Sequence, residues 1–69
     1  MIIKNIKQLG KLVKATRKAQ HLTQVELAAA SGVGVRFISD LESGKETISF
    51  TKTLAVTSVL GLKLSYEEK

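Results

Sequence analysis

Residues 22–44 read LTQVELAAASGVGVRFISDLESG, and their local chemistry decides the fold. Thr23 stands three places before Glu26, the spacing of a capping box in which hydroxyl and carboxylate each satisfy a backbone amide at a helix start. A helix therefore begins at Gln24, with Leu27 and Ala28 turned inward and Ala28 small enough to admit a neighbouring helix closely. Gly32 ends it, where the chain must turn sharply into a left-handed conformation that costs glycine little. Val33 plugs the turn. Gly34 opens a second helix with Ile38 and Leu41 on its buried side, which leaves Val35, Arg36, Ser39 and Asp40 on or near the outer side. Gly44 closes the run.

Before this run, Asn5 and Gln8 have capping-box spacing and start a helix that carries Ile6, Leu9, Leu12 and Val13 on one face. Lys4, Lys7, Lys11, Lys14 and Lys18 gather opposite them and read either as a ridge that tracks a polyanion or as a solvated face, the second being favoured. Gly10 costs up to about 1 kcal/mol relative to alanine inside a helix, so a close helix contact is expected there. After the run, Ser49 caps a last helix whose stripe of Phe50, Leu54, Val56 and Leu60 is expected to close the core, and Gly61 stops it. The expected helices are 6–19, 24–31, 34–43 and 49–60. Residues 62–66, Leu-Lys-Leu-Ser-Tyr, alternate apolar and polar and read as a strand. Its backbone needs a ladder partner, either residues 1–3 of the same chain or the same tail of a second copy, which would bury Leu62, Leu64 and Tyr66.

Sixty-nine residues make one domain near the lower limit at which a core holds without staples, so a homodimer is expected. There are no cysteines, which removes disulfides and Cys-based zinc sites and suits a reducing, cytoplasmic setting. Neither a signal peptide nor a membrane-length apolar run is read. His21 is the only histidine and has no metal-ligand or nucleophile constellation around it, and no phosphate-binding glycine loop exists. The expectation is a non-enzyme with no cofactor, no metal site and no catalytic residue. A net charge of +5, from 11 Lys and Arg against 6 Asp and Glu, suits a polyanionic partner.

Gln24, Leu27, Ala28, Gly32, Val33, Ile38, Leu41, Glu42 and Gly44 in this register resemble the helix-turn-helix of the XRE/Cro/lambda-repressor family. The resemblance covers about residues 6–61 and implies an all-α, lambda-repressor-like bundle of four short helices, here followed by the C-terminal strand. The tail strand and the wording GVGVRFISDLESGK at 32–45 are most similar to HipB-type antitoxins. That resemblance implies a dimeric repressor of its own operon that also binds a HipA-like serine/threonine kinase toxin. A stand-alone Cro-like repressor without a toxin is the alternative, and a protein-binding helical adaptor is a third reading.

The resemblance also assigns roles. Arg17 and Glu42 are expected to form a partly buried structural ion pair. Thr23 and Gln24 at the amino end of the second helix, the backbone about Ser43 and Gly44, and the Lys45 ammonium are expected on phosphates, where they fix register without reading sequence. Phe37, next to Ile38, either wedges into the core margin or stands against the sugar-phosphate backbone, the second being favoured. Bases would be read from the third helix: Arg36 toward guanine, Val35 toward a thymine methyl, with Ser39 at a phosphate or base edge. Asp40 either accepts from a cytosine amino group or pairs with Arg36 one turn away and orients it, the second being favoured. The target is double-stranded operator DNA with an inverted repeat, its half-site centres about 34 Å or a multiple apart.

Overall fold

The computed structural model describes residues 5–46 and 48–62. Among these described residues four helices follow in order: α1, Ile6–Ala19; α2, Gln24–Ser31; α3, Val35–Glu42; and α4, Phe50–Val59. No strand occurs among the described residues. Of the expected strand over 62–66 only Leu62 falls within them, and the rest, with Leu64 and Tyr66, lies outside the described residues. The third and fourth helices are each one residue shorter at both ends than the sequence reading, because Gly34, Ser43, Ser49 and Leu60 serve as caps.

The starts are set by side chains. Asn5 Oδ1 accepts from the Gln8 amide at 2.8 Å, and Ser49 Oγ accepts from the Lys52 amide at 3.2 Å. At α2 the capping box is complete: the Glu26 amide donates to Thr23 Oγ1 at 3.0 Å, and the Thr23 amide to Glu26 Oε1 at 2.8 Å. Each such cap holds backbone donors that would otherwise be orphans, a contribution of about 1 kcal/mol.

All four helices stop in the same way. In each, one residue turns left-handed, with φ of 60° at His21, 71° at Gly32, 82° at Gly44 and 77° at Gly61. The amide after it then reaches back five residues: Leu22 to the Arg17 carbonyl at 3.1 Å, Val33 to Ala28 at 3.1 Å, Lys45 to Asp40 at 3.0 Å and Leu62 to Thr57 at 2.9 Å. This is the Schellman ending, in which the residue after the turn usually makes an apolar contact back onto the helix. Leu22, Val33 and Leu62 fit that pattern, being partly buried against the core. Lys45, at the end of α3, does not.

The core is Leu9, Val13, Leu27, Ala28, Ile38, Leu41, Val56 and Leu60. Helix α3 packs on both α1 and α2, and α2 packs on α4. Gly10 explains how α1 and α3 come so close: a Cβ there would collide with the Leu41 carbonyl oxygen and sit 3.0 Å from that of Glu42. The expected stripe of α4 is corrected. Phe50 is 69% exposed and Leu54 42% exposed, whereas Thr53 and Thr57 are buried beside Val56 and Leu60. Residues 53, 56, 57 and 60 form one helical face, and Leu54 lies one residue, about 100°, round from Thr53. The two threonines belong inside because their hydroxyls are satisfied by the helix itself: Thr53 Oγ1 donates to the Ser49 carbonyl at 2.7 Å and Thr57 Oγ1 to that of Leu54 at 3.1 Å. Such bonds remove the penalty of burying a hydroxyl.

Candidate nucleic-acid interface

Helix α3 is short and two-sided. Ile38 and Leu41 are fully buried, while Val35, Arg36 and Ser39 are exposed on the side turned away from α1 and α2. The helix is thus held by its apolar edge and presents its polar edge outward. Its start carries no side-chain cap, because Gly34 has none to offer.

A buried polar network locks this helix to the other two helices. Arg17 Nε donates to Glu42 Oε2 at 2.7 Å and Arg17 Nη2 to Glu42 Oε1 at 3.1 Å, a bidentate pair whose side chains are 9% and 4% exposed. The third guanidinium nitrogen, Nη1, donates to the Leu22 carbonyl at 2.7 Å. Glu42 Oε1 also accepts from Gln24 Nε2 at 3.1 Å. One carboxylate at the end of α3 therefore ties α1 and the first residue of α2 together. The hydrogen bonds that Arg17 donates to Glu42, with the carboxylate's charge, raise the Arg17 pKa above its ordinary value even though burial pulls it the other way, so the guanidinium stays charged.

Gln24 thus stands at the amino end of α2 with its amide group engaged by Glu42, next to the Thr23 cap. Phe37 is half-buried at the core margin, and Lys52 Nζ lies 5.9 Å from its ring centre, a cation–π contact joining α3 to α4. Ser43 Oγ donates to the Asp40 carbonyl at 2.9 Å. The ion pair expected between Asp40 and Arg36 is not formed. The Asp40 carboxylate instead lies 3.6 Å from Lys45 Nζ, because the left-handed turn at Gly44 folds Lys45 back alongside α3.

The structure adds a residue that the sequence reading left on a solvated face. Gly44 is buried, and a Cβ on it would lie 2.8 Å from Lys7 Cγ and 3.0 Å from Lys7 Cα. Lys7 therefore shares one end of the bundle with Ser43, Gly44 and Lys45, while its own residue remains exposed. The pairing was hidden because the two residues lie far apart in the chain; the signal was only that Gly44 permits a close approach.

Among the described residues no group of three or more His, Cys, Asp or Glu is placed to hold a metal ion, and no helix is long and apolar enough to cross a membrane. A capped short helix, a left-handed glycine turn and a second helix with an exposed polar edge, locked by a buried ion pair, define a helix-turn-helix domain. Residues 13–66 match the helix-turn-helix family model, and the chain belongs to that family. It is 48% identical, over 90% of its length and 82% of the relative's, to an uncharacterised HTH-type transcriptional regulator, y4mF, of Sinorhizobium fredii. It is also 44% identical over 54 residues to the immF control region 10 kDa protein of Bacillus phage phi105, and 33% identical over 57 residues to the immunity repressor protein of the same phage. The aligned regions span 78% and 83% of this chain but 59% and 40% of those two phage proteins. The chain is thus a helix-turn-helix protein akin to HTH-type transcriptional regulators.

Proposed function

We propose that this protein represses transcription as a homodimer that lays α3 of each copy in the major groove of an inverted-repeat operator. The observation that carries the reading is the exposed edge of α3, Val35, Arg36 and Ser39, held rigidly by the bidentate Arg17–Glu42 pair. A rigid helix with an unpaired-looking polar edge is what direct readout of base edges requires. Arg36 donates two hydrogen bonds to guanine O6 and N7, Val35 meets a thymine methyl and Ser39 reaches a base edge or phosphate. Thr23 and Gln24 at the start of α2, Phe37 beside Lys52, and Ser43, Gly44 and Lys45 at the end of α3 hold the two phosphate rims, with Lys7 beside Gly44 as a further cation.

In this reading the tail, with Leu62, Leu64 and Tyr66, builds the dimer contact. The protein is further proposed to act as a HipB-type antitoxin, with a HipA-like serine/threonine kinase as its toxin partner; the wording of residues 32–45 supports this. The phage immunity repressor among its relatives supports the alternative of a stand-alone repressor. Enrichment of duplexes from a randomised pool tests the DNA reading: an inverted repeat must emerge, and Arg36→Ala must relax one position in each half-site. Enrichment unaffected by Arg36→Ala would discard α3 as the reader. A kinase-like gene adjoining this one, whose product co-purifies with the protein, selects the antitoxin reading; a solitary gene selects the stand-alone repressor. Removal of residues 62–69 should leave a monomer in sedimentation, and a persisting dimer would refute the tail contact.

A further inference from the structure

The end of α3 departs from the other three helix ends in one respect. Where α1, α2 and α4 place Leu22, Val33 and Leu62 after the left-handed residue, α3 places Lys45, and the residue it folds back upon is Asp40. An apolar contact is replaced by a carboxylate and an ammonium 3.6 Å apart, with side chains 30% and 50% exposed. The pairing is built into the backbone. The Lys45 amide donates to the Asp40 carbonyl at 3.0 Å, the Ser43 hydroxyl donates to the same carbonyl at 2.9 Å, and Gly44 at φ 82° supplies the reversal. Lys45 is thereby delivered to Asp40 as a consequence of how the helix stops.

This matters for a protein whose partner is a polyanion. Asp40 follows Ser39 on the outward side of α3, and its carboxylate offers the Lys45 ammonium what a phosphate oxygen would: an anionic oxygen as ion-pair partner. We propose that Asp40 is an internal competitor of DNA phosphate for Lys45, setting the non-specific part of the affinity below what the +5 chain would otherwise reach. The inference rests on the DNA-binding reading above and adds a role to a residue that would otherwise only repel the duplex. A partly exposed pair is weak enough to be displaced by phosphate, so the device attenuates binding without abolishing it. Because phosphate contacts carry no sequence information, the attenuation acts alike on every duplex.

The test compares Asp40→Asn with the wild type on two labelled duplexes of about 30 base pairs, three helical turns, one enriched by the protein from a randomised pool and one a scramble of it. Asp40→Asn is expected to tighten both by the same factor, roughly two- to fivefold, the range an exposed ion pair spans. The slope of log K against log salt should steepen by up to about 0.9, the signature of one more neutralised phosphate. In a Lys45→Gln background the gain from Asp40→Asn should fall by at least half. Loss of affinity confined to the enriched duplex would assign Asp40 to base readout and overturn the proposal. So would no change on either duplex, or a gain that survives intact in Lys45→Gln. Wild-type protein that is folded by circular dichroism yet enriches no duplex would refute the DNA-binding reading itself, and the competitor role with it.

Discussion

Replacing Glu42 by leucine removes a carboxylate that accepts three hydrogen bonds, two from Arg17 and one from Gln24, while its side chain is only 4% exposed. The Arg17 guanidinium would then be left buried, with only the Leu22 carbonyl as partner. Breaking one side of such a pair costs about 3–5 kcal/mol, most of it the penalty of an uncompensated buried charge. A 69-residue domain has roughly 3–10 kcal/mol in total, so Glu42→Leu is expected to unfold the protein or lower its Tm by roughly 12–40 °C. Arg17→Met alone should be similarly damaging, because it leaves the carboxylate with Gln24 as its single donor. The double variant Arg17→Met/Glu42→Leu is expected within about 2 kcal/mol of the wild type, since apolar side chains can replace a buried pair at little net cost. Urea unfolding followed by circular dichroism measures all three. Additive losses in the double variant, or a loss below about 1 kcal/mol in Glu42→Leu, would refute the view that this pair is the lock between α1, α2 and α3.

Other substitutions have equally definite outcomes. Gly10→Ala drives a Cβ into the Leu41 carbonyl, and thermal melting should show a loss of about 1–3 kcal/mol where an ordinary helical Gly→Ala change would stabilise. His21 holds φ 60° at the end of α1, so His21→Gly should raise stability by about 0.5–1 kcal/mol; a lowered Tm would show that the imidazole contributes more than the left-handed backbone costs. Ser49→Ala removes the cap on the Lys52 amide and should cost about 1 kcal/mol in urea unfolding.

The turn and its two helices were legible because their determinants are local. Thr23 with Glu26, Gly32 and Gly44 each act on backbone groups within a few residues, and the structure gives each the role that its spacing implies. The Arg17–Glu42 pair spans 25 residues and was reached only through family resemblance. Two features were misread for physical reasons. Hydrophobicity alone puts Phe50 and Leu54 on the inner stripe of α4, but Thr53 and Thr57 satisfy their hydroxyls on the helix backbone and so take the inward face from them. Helical spacing offers Asp40 a partner one turn away, where Arg36 stands. The left-handed residue at Gly44 brings in Lys45 instead, a neighbour that a continuing helix would have carried to another face. The contact of Lys7 with Gly44 belongs to tertiary packing and has no local signal.

Whether the exposed edge of α3 reads DNA sequence is decided by parallel selections from one randomised duplex pool with wild-type protein and with Arg36→Ala. The wild type should enrich an inverted repeat with half-site centres about 34 Å or a multiple apart. With Arg36→Ala one guanine position in each half-site should be relaxed and affinity for the wild-type repeat lowered by roughly 1–3 kcal/mol. The same repeat recovered with equal strength by both proteins would contradict readout by that edge.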